Sequence, residues 1–271
     1  MILSSAHVHT TFCDGIDSPE EMVVAAIKKG FVSLGFTSHG AQNFDLRYCM
    51  NKRDENKYIA EIHALQKKYR DEIRIWVGIE RDTYSISKMG KYQYTIASQH
   101  YLLQENGWLP VNAEPADAEY FILKYFSGDG MRMAEQYFTV FSDYIARIRP
   151  SIIGHFDIIR TINDKRVFFD ELSSEYKTAA LNGLKRARTN CNLLELNTGN
   201  YAKKKERLFP ASFLLEAWNE LGGKIIINSD CHNCEFIDAG YAPALIAAQK
   251  AGFKSVERIG TGTALFETVY L

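Results

Sequence analysis

Seven short apolar runs, each followed by a longer segment of different periodicity, constrain this chain more than any other feature of its sequence. They span residues 2–8, 32–37, 73–79, 94–98, 151–154, 192–197 and 224–228. Each is rich in Ile, Val or Leu, as expected of strands covered on both faces. Strand-like runs alternating with helical patterns from end to end predict an α/β fold, a parallel sheet joined by crossover helices. A length of 271 residues suits a single closed barrel spanning 1–271, since such barrels take about 250 residues.

The intervening segments carry helix signals. Ser18-Pro19-Glu20-Glu21 offers an N-cap serine, a proline at the first helical position and a capping-box glutamate, and Gly30 ends that helix. Tyr58, Ile62, Leu65 and Tyr69 fall on one helical face, as do Tyr137, Phe141, Tyr144 and Ile148. Pro210 is expected to begin a further helix bearing Phe213, Leu214, Trp218 and Leu221, stopped by Gly222-Gly223. Residues 43–52 and 104–115 read as irregular, polar stretches just after strands, placed to cover a substrate.

Several function classes fall away on composition. Hydrophobic residues make up 46% and charged residues 24%, enough apolar material for a large core. The formal net charge of -1 gives no broad positive field for nucleic acid or an anionic membrane, so a small molecule is the expected partner. No run approaches the roughly 18 apolar residues of a membrane span, and no signal-peptide pattern opens the chain, so a cytoplasmic location is expected. Five scattered cysteines read as reduced thiols, and the Cys231-x-x-Cys234 pair has no second pair to make a zinc site.

The chemistry is written in the histidines. Of seven, six lie at or just beyond the carboxyl end of an expected strand: His7, His9, His39, His100, His155 and His232; only His63 does not. A barrel delivers those ends to one mouth, and imidazoles converging there need a shared reason, which a divalent transition metal supplies. His7 and His9 are two apart on an extended segment, so both point to the same side; Asp230 and His232 repeat the device. Glu80 ends the third run and Asp14 follows the first, and a carboxylate such as Glu80 bridges two cations while offsetting their charge.

In this order, His7-x-His9 with Asp14-Gly15, Gly35-Phe36-Thr37-Ser38-His39, Gly78-Ile79-Glu80, Ser98-Gln99-His100, Gly154-His155-Phe156-Asp157 and Ser229-Asp230-Cys231-His232 resemble the PHP (polymerase and histidinol phosphatase) superfamily. Length and the segment from Gly154 to Arg160 look most like its histidinol-phosphate phosphatases. The resemblance implies a distorted (β/α)7 TIM-like barrel with two or three divalent metal ions (Zn, Fe or Mn). It implies that His7, His9, Glu80 and Asp230 hold one ion, Glu80, His100 and His155 a second, and Asp14, His39 and His232 a third. Many relatives carry histidine near the position of Asp14 and aspartate at that of Ser38.

Such a centre implies hydrolysis of a phosphomonoester, L-histidinol phosphate by the resemblance, with a bridging hydroxide as nucleophile and the ions clamping the phosphate oxygens. Glu80, Asp230 and His232 are the expected catalytic side chains, with Asp230, His232 or a metal-bound water protonating the leaving alkoxide. Arg160 is expected either to bind phosphate or to form an ordinary ion pair. In Glu195-Leu196-Asn197-Thr198-Gly199-Asn200, which ends the sixth run, Asn197 or Asn200 reads equally as a substrate contact or a turn residue. Lys203-Lys204-Lys205 with Arg207 reads as a solvated face that could extend a phosphate site. Three alternatives compete: a PHP phosphoesterase for another small substrate, an amidohydrolase-like metallohydrolase, and a non-catalytic PHP module. The missing mid-barrel lysine disfavours the second, and the complete ligand set disfavours the third.

Overall fold

The computed structural model describes residues 3–271; Ile2, at the start of the first expected run, lies outside them. Eleven strands and seven helices are present among the described residues. The strands are β1 (Leu3–Ser5), β2 (Phe31–Phe36), β3 (Arg74–Asp82), β4 (Tyr94–Ser98), β5 (Tyr101–Gln104), β6 (Gly107–Pro110), β7 (Ile152–Ile153), β8 (Leu193–Asn197), β9 (Lys224–Asn228), β10 (Ser255–Ile259) and β11 (Phe266–Tyr270). The helices are α1 (Pro19–Lys28), α2 (Glu55–Lys68), α3 (Pro115–Phe126), α4 (Gly130–Ile148), α5 (Ser174–Arg188), α6 (Ser212–Glu220) and α7 (Tyr241–Lys250). Among the described residues no helix is long and apolar enough to cross a membrane.

One mostly parallel sheet runs β1-β2-β3-β4-β7-β8-β9-β10-β11. It curls so that the chain beyond β1 meets the chain beyond β9: the His9 amide donates to the Cys231 carbonyl at 2.8 Å, and Val8 and Cys231 form a parallel bridge. The closure lies at the carboxyl ends of the strands. At the other end the ring is distorted, because β10 lies beside β9 and the Ser33 hydroxyl of β2 donates to the Ile259 carbonyl at its tip. The seven expected strands are thus the seven of a distorted TIM-like barrel. The hairpin β10–β11 is an addition that its mixed polar sequence did not announce.

Inside the barrel sits a small core of Ala6, Trp76, Tyr94, Ile96, Ile152, Leu193, Ile226 and Ile259, separate from the larger core between sheet and helices. Tyr94 crosses this interior to donate its hydroxyl proton to the Ala6 carbonyl at 2.7 Å. Its ring needs the glycines beside it, since a Cβ on Gly78 would fall 2.4 Å from the ring and one on Gly35 2.1 Å from the hydroxyl. Polar side chains occupy the layer above.

The capping box on α1 forms: the Ser18 hydroxyl accepts from the Glu21 amide, and the Glu21 carboxylate accepts from the Ser18 amide. Two expectations need correction. Pro210 does not start a helix; it precedes the N-cap Ala211, and α6 begins at Ser212, leaving Leu221 outside and exposed. Residues 104–115 are only half irregular: Gln104 and Gly107–Pro110 belong to the β5–β6 hairpin and Pro115 starts α3, while 105–106 and 111–114 are turn or irregular. Residues 43–52 are irregular, as expected.

Candidate metal centre

Period-two alternation decides which side chains a barrel strand sends inward. Along β3 these are Trp76, Gly78, Glu80 and Asp82, climbing from apolar core to carboxylates, and along β8 they are Leu193, Glu195 and Asn197. His7 and His9 follow β1, His39 follows β2, His100 follows β4, His155 follows β7, and Asp230 and His232 follow β9. Asp14 hangs in the turn after His9. The structure brings these eight side chains and Glu80, the nine expected metal ligands, into one hollow.

Glu80 is its centre. Its Oε2 lies 2.7 Å from His39 Nδ1, 3.4 Å from His7 Nε2 and 3.5 Å from His9 Nε2, while Oε1 lies 3.0 Å from His155 Nε2 and 3.5 Å from His100 Nε2. Asp230 Oδ1 approaches His9 Nε2 at 3.1 Å and His7 Nε2 at 3.4 Å. Asp14 Oδ1 is 3.3 Å from His232 Nε2 and 3.6 Å from His39 Nε2. Asp230 itself has φ 48°, an uncommon left-handed backbone for a residue with a side chain and a form of strain that clusters at functional sites.

The donor set fits divalent cations. Three of its fully buried atoms, His7 Nε2, His9 Nε2 and Glu80 Oε2, have no hydrogen-bond partner, which costs about 1–3 kcal/mol each if nothing satisfies them. Ligands about 2.1 Å from a tetrahedral ion stand about 3.4 Å apart. The contacts of His7 and His9 with Glu80 and Asp230, at 3.1–3.5 Å, have that spacing. Two further groups, His9/Asp14/His39/His232 and His39/Glu80/His100, each bring their ligand atoms within 4.8 Å of one another.

Electrostatics agree with an unmet need for positive charge. Burial opposes ionisation of His7, yet Glu195, Asp230 and Glu80 together hold its pKa well above the ordinary value. For His39 burial is likewise outweighed, by Glu80 and Asp14, and the pKa rises to about 9. His9, buried and flanked by His232 and His39, falls to about 3 and stays neutral. Burial would raise Glu80 and Asp230, but the imidazoles around them hold both well below the carboxylate range.

Behind these side chains lie two carboxylates that the motif pattern did not single out. Glu195 accepts from His7 Nδ1 at 2.6 Å, and Asp82 lies 3.1 Å from His100 Nδ1 and accepts from the His100 amide at 2.7 Å. Their signal was available: each is an acidic residue on the inward parity of a buried strand, two positions from Asn197 and Glu80 respectively. The cluster opens into a cavity of about 1090 Å³ whose wall includes Tyr48, Tyr101, Trp108, Asn197, Lys203 and Phe209. Both segments proposed to cover a substrate contribute to it.

Arg160 is placed otherwise. Its guanidinium donates to Glu171 at 2.8 Å and Asp157 at 3.1 Å, and it is not among the residues lining the cavity, so its geometry is that of an ion pair. Asn197 does line the cavity, but its amide nitrogen already donates to Glu195 and Asp230. Of the basic run, Lys203 reaches the cavity while Lys205 and Arg207 pair with Asp164. His63 is exposed and remote, bonded to Gln66, and the five cysteines are free thiols.

The family model described as PHP domain matches residues 5–199. The chain belongs to the PHP domain family. A histidinol-phosphatase of Bacillus subtilis is 26% identical over 266 residues, covering 87% of this chain and 95% of that one. Among solved structures, one from Listeria monocytogenes superposes with a TM-score of 0.72 at 21% identity, covering 89% of this chain and 99% of the other. The Lactococcus lactis histidinol phosphate phosphatase, solved with zinc, L-histidinol and phosphate, superposes with a TM-score of 0.70 at 22% identity, covering 95% and 97%. These likenesses bear out the PHP resemblance and the barrel.

Proposed function

We propose that this PHP protein is a metal-dependent phosphomonoesterase that hydrolyses L-histidinol phosphate to L-histidinol and phosphate in cytoplasmic histidine biosynthesis. The observation that carries the reaction class is the set His7, His9, Glu80 and Asp230, spaced for one ion, holding three unpartnered buried atoms and adjoining a cavity large enough for a small substrate. Support for the substrate comes from the relatives' names and from the ligands in the Lactococcus lactis complex.

In this reading His7, His9, Glu80 and Asp230 hold one ion, Glu80, His100 and His155 a second, and Asp14, His39 and His232 a third. His39, 2.7 Å from Glu80, lies between the last two groups. Bound there, divalent ions supply a hydroxide nucleophile near neutral pH and neutralise the phosphate oxygens. The chain's own groups do the rest. Glu80 presents one oxygen to His7, His9 and His39 and the other to His100 and His155, so a shift in β3 disturbs two ion sites at once. His232, at the mouth, is the group we infer protonates the leaving alkoxide, because the imidazoles around Asp230 keep that carboxylate ionised, and Lys203 supplies a positive charge on the cavity wall.

The test is phosphate release by the purified protein loaded with Mn, Fe or Zn, which should be far faster from histidinol phosphate than from unrelated phosphomonoesters. Equal rates on all of them would remove the substrate and leave the reaction class. A His9→Ala variant of unchanged activity would remove both.

A further inference from the structure

We propose that Glu195, which touches neither the cavity nor a substrate, is the positioning residue of this centre, fixing the His7 imidazole directly and Asp230 through Asn197. The inference rests on the reading above in which His7 and Asp230 share an ion. Glu195 is fully buried midway along β8, where a carboxylate is costly unless every acceptor site is used. Here they are used. Oε1 accepts from His7 Nδ1 at 2.6 Å and Asn228 Nδ2 at 2.9 Å; Oε2 accepts from the His155 amide and from Asn197 Nδ2, both at 2.9 Å.

An ionised carboxylate only accepts, so His7 keeps a proton on Nδ1, which leaves Nε2 as the atom turned toward Glu80 and Asp230, each 3.4 Å away, and free to give up its own proton to an ion bound there. The amides are equally constrained. Asn228 Oδ1 accepts from the Ala6 amide at 2.7 Å and Asn197 Oδ1 from the Gly199 amide at 2.9 Å, so both present nitrogen to Glu195. The second Asn197 N–H donates to Asp230 Oδ2 at 3.1 Å, which leaves Asp230 Oδ1 aimed at His9 and His7. One carboxylate thereby sets the direction of ligand atoms on the segments after β1 and β9, and holds the main chain at His155.

Glutamine is no substitute for it, despite its shape. Whichever way the Glu195→Gln amide turns, its NH2 meets a donor whose orientation is fixed: Asn228 on one side, the His155 amide and Asn197 on the other. On the first side His7 can escape only by moving its proton to Nε2, where an ion would sit.

The experiment measures metal retention against a chelator series, with the visible spectrum of the cobalt-substituted protein reporting ligand geometry. Glu195→Gln should keep the circular dichroism of the metal-free protein while losing metal affinity by about 10–100-fold, the range seen when outer-shell partners are removed. Asn197→Ala keeps the carboxylate and its charge, so it tests the Asp230 arm independently; it should weaken retention by about 10-fold. Wild-type retention and cobalt spectrum in either variant overturn the corresponding arm. His7→Ala is the reference: if that variant also retains its full complement of metal, the ligand assignment fails rather than the role of Glu195.

Discussion

Gly78→Ala tests whether the apolar interior and the metal centre are mechanically one object. The new Cβ would sit 2.4–2.8 Å from three carbons of the Tyr94 ring, where carbon contacts prefer about 3.5–4.0 Å. Ring or strand must therefore move by about 1 Å, and overpacking of that kind costs about 1–3 kcal/mol. For 271 residues the unfolding entropy is about 570 cal/mol/K, so the melting temperature should fall by about 2–5 °C. The same movement reaches the site by two routes. Gly78 is two residues from Glu80, and the Tyr94 hydroxyl is anchored on Ala6, the neighbour of His7. Displacement on that scale costs about 100-fold in rate when it reaches reacting groups. Scanning calorimetry, metal analysis and phosphate release from histidinol phosphate read out the three effects. A second substitution, Tyr94→Leu, removes the clashing ring atoms, so the double variant should be more stable than the two single losses predict. Unchanged melting and activity in Gly78→Ala, or strictly additive losses in the double variant, would refute the coupling.

Glu80→Gln should lower kcat by more than the roughly 100-fold typical of outer-shell changes and reduce bound metal, as measured by elemental analysis. Asp45→Ala should raise KM several-fold with little change in kcat, because the Asp45 carboxylate holds Arg47 within residues 43–50 and ties that segment to the cavity wall by accepting from the Tyr101 hydroxyl. The Arg47 contact holds the Asp45 carboxyl down at about 2, so its contribution to stability is present above the ordinary aspartate value and lost as pH falls through about 2. In unfolding followed by tryptophan fluorescence, the wild type should exceed Asp45→Asn in stability above about pH 4, and the difference should vanish as pH falls through about 2. His63→Ala should change stability by no more than about 0.5 kcal/mol and leave metal content and activity intact; lost metal there would mean the centre is misassigned.

Strands covered on both faces leave an unmistakable trace in a sequence, which is why runs such as 94–98 and 224–228 emerge with the bounds the structure gives them. The β10–β11 hairpin leaves none: Ser255–Ile259 and Phe266–Tyr270 mix Glu, Arg and Thr with Val and Ile, because the pair is only partly buried. Residues that would meet a metal were legible for a different reason. His7 with His9, and Asp230 with His232, keep a spacing that extended chain imposes, whereas no spacing around Arg160 decides between a phosphate and an ion-pair partner. Glu171 and Asp157, which claim its guanidinium, become neighbours only in the folded chain. Glu195 was hidden in plain view, as part of a strand-ending segment read for its asparagines.

Asp14 is one of the two positions at which the PHP resemblance implies a departure from many relatives, and its surroundings say what a carboxylate does there. Its turn is pinned by backbone: Gly15 packs so close to Thr10 that a Cβ would fall 2.5 Å from the Thr10 nitrogen, and the Ile16 amide donates to the His232 carbonyl at 2.9 Å. The carboxylate is thus delivered to His232 and His39 by main-chain geometry that a new side chain at residue 14 leaves in place. Its charge, held ionised by those histidines, adds an oxygen donor to a group that otherwise offers only imidazole nitrogen. Oxygen ligands favour harder ions such as Mn, and imidazoles favour Zn. Asp14→His, with the protein equilibrated against Mn in large excess over Zn, should raise the bound Zn:Mn ratio by exchanging at most one Mn per chain for Zn, leaving the ions at the other two groups unchanged. An unaltered ratio would show that the carboxylate at residue 14 does not select the metal.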